Sequence, residues 1–239
     1  LAVPPHADPA ACGDEAIVLA RRSGCPVWVG RDRVAAVQAL LTAHADCNMI
    51  LSDDGLQHYA LARDFEIAVI DAERGLGNGW LLPAGPLREP AGRLDTVDAV
   101  VANGDMSSAA ITKRPLYGMR LEGRILENLL NRGHCITASE LQPLRIHAVA
   151  GIGHPQRFFD HLRRLGLHFT AHAFPDHHAY TPRDLAFARA GDAVVMTEKD
   201  AVKCERFATE RYWMLPVDAV VDPALGQQVL RKLGHRDEQ

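Results

Sequence analysis

Met49-Ile50-Leu51-Ser52-Asp53-Asp54-Gly55-Leu56-Gln57-His58 carries an apolar run up to two adjacent carboxylates, after which a glycine turns the chain. Such a run fits a buried strand of a parallel sheet. Ligands of open α/β sheets gather at the carboxyl ends of the strands. Two carboxylates there would be costly to desolvate without a cation, and Mg2+ is the usual one beside phosphates. The decapeptide suits equally a plain turn in which Asp and Gly supply only loop chemistry. The rest of the chain decides between the two.

Upstream, residues 13–22 read as a short helix ending near Ser23-Gly24, Pro26 to Val29 as a brief strand, and residues 33–45 as a helix with apolar residues at helical spacing. A strand is expected over 48–52. Downstream, apolar runs over 65–70 and 97–102 end at Asp71 and at Asn103-Gly104. The pattern weakens between 105 and 144, where residues 115–125 alternate loosely, as in a β-ribbon. It resumes with a strand over 146–150 that leads into Gly151-Ile152-Gly153. A helix opening at Pro155 comes next, then strands at 169–174, 193–196 and 213–217, and a helix begun by Thr181-Pro182. Strands alternating with helices predict βαβ units and a mainly parallel sheet. The expected division is a core lobe over 1–110, a β-ribbon linker over 111–145 and a second α/β lobe over 146–239.

The 239 residues are 47% hydrophobic and 23% charged, an ordinary globular composition. A net charge of −4 argues against a nucleic-acid partner. Five widely spaced cysteines without a C-x-x-C pair fit neither a zinc site nor a disulfide framework and suggest a reducing, cytosolic setting. No run of roughly 18 apolar residues or signal peptide is present. The stretch from Leu1 to Pro9 reads as the tail of a preceding segment, so an N-terminal part of a longer protein is expected to be missing.

Polar clusters recur where strands are expected to end. Gly13-Asp14-Glu15 is the first and Asp53-Asp54 with Gln57-His58 the second. The third runs from Asp71 through Arg74-Gly75-Leu76-Gly77-Asn78-Gly79 into residues 82–90. Its alternate glycines permit close backbone approach, and its prolines stiffen the 82–90 segment. No G-x-x-x-x-G-K-[ST] phosphate loop occurs. Asp176-His177-His178 suits general-base work, a surface turn, or the metal set of a class of phosphoesterases. Thr197 to Lys203 reads as a helix start with Thr197 as N-cap and Asp200 as the acid at N3.

Taken in order, these segments resemble the tetraacyldisaccharide 4′-kinases, the lipid A 4′-kinases of Gram-negative bacteria. The resemblance rests on Gly13-Asp14-Glu15 with Leu19 to Arg22, Val29 to Arg33, Ser52 to Tyr59, Arg74 to Gly79, Leu82 to Pro90, Gly151 to Gly153, Arg157 to Phe159, Asp176 to His178 and Met196 to Lys203. It spans nearly the whole chain at similar spacing. It implies transfer of the γ-phosphoryl of ATP to the 4′-hydroxyl of a tetraacyl disaccharide 1-phosphate, with Mg2+, at the cytoplasmic face of the inner membrane. The implied fold is a P-loop-hydrolase-like parallel sheet lobe with a second, smaller α/β lobe.

Carried over, Asp53 and Asp54 look like the carboxylates at a Walker-B strand end that hold Mg2+ and ATP. Asp14 looks like the base for the sugar hydroxyl and His177 like its partner, with His178 the alternative. Glu15, His58, Asn78, Arg88 and Glu89 look like substrate-side neighbours. Positioning and charge stabilisation are most of what phosphoryl transfer needs, so this inventory suffices. The partners implied are an acylated disaccharide lipid and a membrane surface, and a monomer is expected.

Two departures from the family pattern stand out. Neither the family's N-terminal membrane-associated helix nor its glycine-rich phosphate loop is present, so the isolated chain is expected to bind ATP poorly and turn over little. Ala16 replaces the usual proline after Asp-Glu, which leaves the Asp14 loop less stiff. The alternatives are a metal-dependent phosphoesterase built on Asp53, Asp54 and Asp176-His177-His178, and a non-catalytic remnant of the kinase fold.

Overall fold

The computed structural model describes residues 1–105 and 111–234. The chain forms two compact units, Leu1–Ile50 with Gly123–Val217, and Leu51–Glu122 with Asp218–Gln239.

The first unit is built on a six-stranded sheet. In chain order its strands are β4 (Ile125–Asn128), β5 (Cys135–Thr137), β6 (Ile146–Ala150), β7 (Thr170–Ala173), β8 (Ala193–Thr197) and β9 (Tyr212–Leu215), arranged β5-β4-β9-β8-β6-β7. β7, β6, β8 and β9 are parallel neighbours, while β4 runs antiparallel to both β5 and β9. Every residue of β6, β8 and β9 is buried, which is why these segments read as unbroken apolar runs rather than alternating ones.

One face of this sheet is covered by α5 (Pro155–Arg164), whose Phe158, Phe159 and Leu162 pack on Ile146, Ala148, Val195 and Trp213. Pro155 stands at the start of α5, as its lack of an N–H allows. The other face buries Val149, Val194, Met196 and Met214 under Tyr180, Leu185 and Cys204. The N-terminal α2 (Asp14–Ser23) lays Ala16, Ile17 and Ala20 against Val202 of α6 (Glu198–Cys204). Gly24, in the left-handed conformation, ends α2, and Asp32 caps α3 (Arg33–Ala43).

The second unit holds a four-stranded sheet in the order β1-β2-β3-β10, from β1 (Ile67–Asp71), β2 (Ala99–Asn103), β3 (Leu116–Glu122) and β10 (Asp218–Val221). β1, β2 and β3 are parallel, and β10 returns antiparallel to β3. Ala68, Leu94, Val97 and Val100 form its core, and α7 (Pro223–Gly234) comes after β10. Among the described residues no helix is long and apolar enough to cross a membrane.

Several expectations change. Residues 48–52 form no strand: Leu51 is 88% exposed, and no strand among the described residues pairs with the segment. Apolar content alone does not make a strand without a neighbouring ladder. The brief strand at 26–29 is reduced to an isolated bridge between Ala2 and Trp28. The helix expected at Thr181 is a series of tight turns, with Asp184, Ala186 and Ala188 each bonding back three residues. Residues 111–145 are not a linker ribbon either. β3 is an inner strand of the second unit's sheet, and β4 and β5 extend the sheet of the first. The division therefore departs from the expected 1–110, 111–145 and 146–239. Residues 1–50 join the later part of the chain because α2 packs on α6, and 218–239 return because β10 pairs with β3. The boundary expected at residue 110 lies outside the described residues.

Candidate active site

In the first unit, Gly13 adopts φ 87° between the short helix α1 (Pro9–Cys12) and α2, and so places Asp14 at the first position of α2. Asp14 and Glu15 there complement the positive end of the helix dipole. Asp14 is buried, and its Oδ1 accepts the Glu15 N–H at 3.0 Å. Ala16, in the same first turn, is buried against Val202.

Lys203, backed by Asp200, and the His177 imidazole flank this carboxylate. Lys203 Nζ lies 3.3 Å from Asp14 Oδ2 and 3.0 Å from Asp200 Oδ1. Asp200 is fully buried, and its Oδ2 accepts the Gly151 N–H at 3.0 Å and the Thr197 hydroxyl at 2.7 Å. On the other side His177 Nδ1 is 3.4 Å from Asp14 Oδ1. Burial pushes the Asp14 carboxyl up, but the Lys203 charge, the Glu15 N–H and His177 more than offset it. Together they hold Asp14 below the usual carboxylate range.

His177 sits in the left-handed region at φ 56°, held by its N–H to Gly151 O at 3.2 Å and to Asp176 Oδ1 at 3.1 Å. A non-glycine residue there is strained, a condition concentrated at functional sites. Its side chain is 64% exposed and so open to a ligand. His178 turns away: its Nε2 lies 3.4 Å from Asp184 Oδ2, and its ring packs between Phe174 and Tyr180. Of the two histidines, His177 is the one that faces Asp14. Glu15 is paired with Lys199.

Lys203 and Asp200 escaped the sequence reading because the Thr197 segment was accounted for by capping, and the cap is real: Thr197 accepts the Asp200 N–H. The signal available was the charged i, i+3 pair flanking buried Ala201 and Val202, which places an ammonium inside the fold.

In the second unit, Asp53 and Asp54 are exposed in a turn, not at the end of a strand. Asp54 takes φ 46°, and the Arg88 guanidinium reaches both of its oxygens at 2.9 Å and Gln57 Oε1 at 3.2 Å. Glu89 accepts from the Tyr59 hydroxyl and from Gln57 Nε2 at 2.7 Å, with Arg93 at 3.3 Å. The Tyr59 and Gln57 bonds, helped by Arg93, hold Glu89 below the usual carboxylate range. Asp54, Gln57, Arg88 and Glu89 thus belong to one polar surface, with Asp53 next to Asp54 in the same exposed turn.

His58 contributes backbone, its carbonyl accepting from Leu61 N–H and the Arg63 guanidinium. Asn78 closes its own loop, donating to Ala84 O at 2.9 Å and accepting the Trp80 N–H at 3.1 Å. Gly77, at φ 60°, packs where a Cβ would stand 2.6 Å from Pro86 Cγ, so this loop requires glycine for reasons of space as well as backbone.

Among the described residues no three His, Cys, Asp or Glu side chains converge as a metal cage. Two adjacent hard carboxylates, Asp53 and Asp54, suit Mg2+, which takes one or two carboxylates and completes its shell with phosphate oxygens and water. The donor set therefore fits Mg2+ carried by a nucleotide.

The family model described as tetraacyldisaccharide-1-P 4′-kinase matches residues 1–234. The tetraacyldisaccharide 4′-kinase of Aromatoleum aromaticum is 51% identical over 236 residues, covering 98% of this chain and 69% of its own length. The one from Methylobacillus flagellatus is 52% identical over 225 residues, covering 94% and 65%. Among solved structures, LpxK from Aquifex aeolicus in complex with ATP aligns with a TM-score of 0.73 at 25% identity, over 92% of this chain and 69% of that one. The chain thus spans about two thirds of the length of the relatives it matches. The α/β fold, the parallel-rich sheets and the match over nearly every described residue agree: this chain belongs to the tetraacyldisaccharide 4′-kinase family.

Proposed function

We propose that the protein transfers the γ-phosphoryl group of ATP to the 4′-hydroxyl of a tetraacyl disaccharide 1-phosphate in lipid A synthesis. The observation that carries this reading, within the family match, is the buried, ionised Asp14 held by Lys203 and faced by exposed His177. Asp14 takes the proton of the acceptor hydroxyl as the oxygen attacks the γ-phosphorus and the bond to the leaving ADP breaks. His177 orients Asp14 and shares the charge on that side. Such base assistance contributes about 10²–10⁴-fold.

Asp53 and Asp54 would hold Mg2+, which, when bound, offsets charge on the phosphates of the nucleotide. Arg88 would exchange its contact with Asp54 for a phosphate oxygen. Its present pairing is exposed, and an exposed ion pair is readily given up.

ATP use is supported by the ATP complex of the Aquifex aeolicus relative. The 239 residues contain no G-x-x-x-x-G-K-[ST] motif, so as an isolated polypeptide they should bind ATP weakly and turn over little. A monomer working peripherally at the cytoplasmic face of the inner membrane, without nucleic acid, is the setting that suits an acylated acceptor. The test is transfer from γ-labelled ATP to the lipid by protein made from its complete coding sequence. Asp14→Ala should lower kcat about 10²–10⁴-fold with little change in the KM for ATP. Unchanged turnover would remove Asp14 from the chemistry.

A further inference from the structure

Lys203 is nine-tenths buried, and such a cation is tolerated only where opposite charge compensates it. Here the compensation is arranged in sequence. Asp200 is fixed first, by the Gly151 N–H at the end of β6 and by the Thr197 hydroxyl at the start of α6. Its free oxygen then fixes the Lys203 ammonium at 3.0 Å, one turn along the same helix. The ring of fully buried Tyr180 closes one side, with its centroid 5.3 Å from Nζ. The ammonium is thereby presented to Asp14 Oδ2 at 3.3 Å, and Oδ1 is left to His177 and the Glu15 N–H.

We infer that Lys203 is a positioning residue for phosphoryl transfer, anchored by Asp200, which keeps Asp14 ionised and turned with Oδ1 toward His177. The inference rests on the reading of Asp14 as the base. The charged and titratable groups around Asp14 are Lys203 and Asp200 from α6, His177 with Asp176 from the loop after β7, and Glu15, paired to Lys199, on its own helix. Within the buried trio of Asp14, Lys203 and Asp200, two carboxylates and one ammonium leave a single net negative charge. Without the ammonium, Asp14 and Asp200 would be like charges in one buried pocket, and one of them would take up a proton.

The experiment is Lys203→Met and Lys203→Arg in protein made from its complete coding sequence. The Asp14 carboxyl is titrated by ¹³C NMR without nucleotide or lipid, and the pH profile of kcat/KM is measured alongside. Lys203→Met should raise the Asp14 titration by about one pH unit or more and move the acid limb of the profile with it. It should lower kcat roughly tenfold or more with both KM values nearly unchanged. Lys203→Arg should restore most of the wild-type titration and rate. A folded Lys203→Met whose Asp14 titration and acid limb stay in place overturns the inference, whatever its rate.

Should Lys203→Met fail to fold, Asp200→Asn gives the reciprocal reading. Loss of the anchoring carboxylate should shift the Asp14 titration, and an unmoved titration in the folded variant overturns the inference. Asp14→Ala separates the two claims. Full activity in that variant refutes the base while leaving the charge coupling between Lys203 and Asp14 to be decided by NMR.

Discussion

Gly151→Ala is the perturbation that most sharply tests how this site is held. Gly151 comes directly after β6, and a Cβ built on it would lie 2.7 Å from the Tyr180 hydroxyl, 3.1 Å from Asp200 Oδ1 and 3.2 Å from Pro175 O. None of the three can give way freely. Tyr180 is fully buried, Asp200 is fixed by Gly151 itself, and Pro175 opens the loop that carries His177. Normal van der Waals separation for such pairs is about 3.5 Å, so the hydroxyl must retreat by several tenths of an ångström. Overpacking of this kind costs about 1–3 kcal/mol. With a urea dependence of about 2 kcal/mol per molar, the unfolding midpoint should fall by roughly 0.5–1.5 M.

The assay is urea unfolding monitored by circular dichroism, run with Tyr180→Phe, the double variant and Gly153→Ala. Removing the hydroxyl removes the tightest contact, so the double variant should recover about half of the loss or more. Gly153→Ala should cost much less, because its Cβ would meet only the exposed Asp176 carboxylate, at 3.2 Å. Activity should fall in Gly151→Ala as well, since the carbonyl of Gly151 holds the His177 N–H. A Gly151→Ala midpoint within about 0.2 M of wild type, or no recovery in the double variant, would refute the packing argument.

Two further outcomes concern stability. Arg21 grips Glu205 through two bonds of 2.6 and 2.8 Å and also donates to Pro5 O, and Arg132 meets the same carboxylate. Arg21→Ala should cost about 1–2 kcal/mol, reduced from the buried-pair range because Glu205 is 28% exposed, and calorimetry would read it as a lower Tm. His147 Nδ1 lies 3.0 Å from His172 Nε2, and His172 stacks flat on Phe187 at 3.6 Å. Burial, and then His147, depress the His172 pKa. The neutral ring is favoured on folding, so this contribution is complete above about pH 6.5 and is lost as pH falls through the depressed folded value. His172→Phe should flatten the loss of stability as pH falls below about 6.5. An unchanged slope there would show that the pair does not titrate with unfolding.

What was legible in the sequence was what a single segment encodes. Ile146 to Ala150 and Ala193 to Met196 are apolar at nearly every position, and each is a strand buried on both faces. Pro155 and Thr197 begin helices where their local chemistry says they should. What depended on a partner was not legible. Met49 to Ser52 is as apolar as a strand but finds no ladder among the described residues, and β3 looked like a ribbon because β10, its second neighbour, lies about a hundred residues away. The same holds for the site. Asp14 and His177 could be singled out one motif at a time, and the structure brings them to 3.4 Å. Lys203 could not, since a capped helix start explained its segment and only the fold shows the ammonium lying against Asp14. Asn78 could also be singled out from its glycine-rich loop, but only the fold shows its amide bonded to Ala84 O and the Trp80 N–H.

The position of the new phosphate tests the proposed kinase reaction most directly. Protein made from its complete coding sequence, given ATP, Mg2+ and tetraacyl disaccharide 1-phosphate, should produce a second phosphomonoester at the 4′ position, seen by ³¹P NMR of the extracted lipid. The signal should be lost in Asp14→Ala and in Asp53→Asn. Release of inorganic phosphate from the lipid without ATP, or a 4′-phosphate that forms at the wild-type rate in Asp14→Ala, would contradict it.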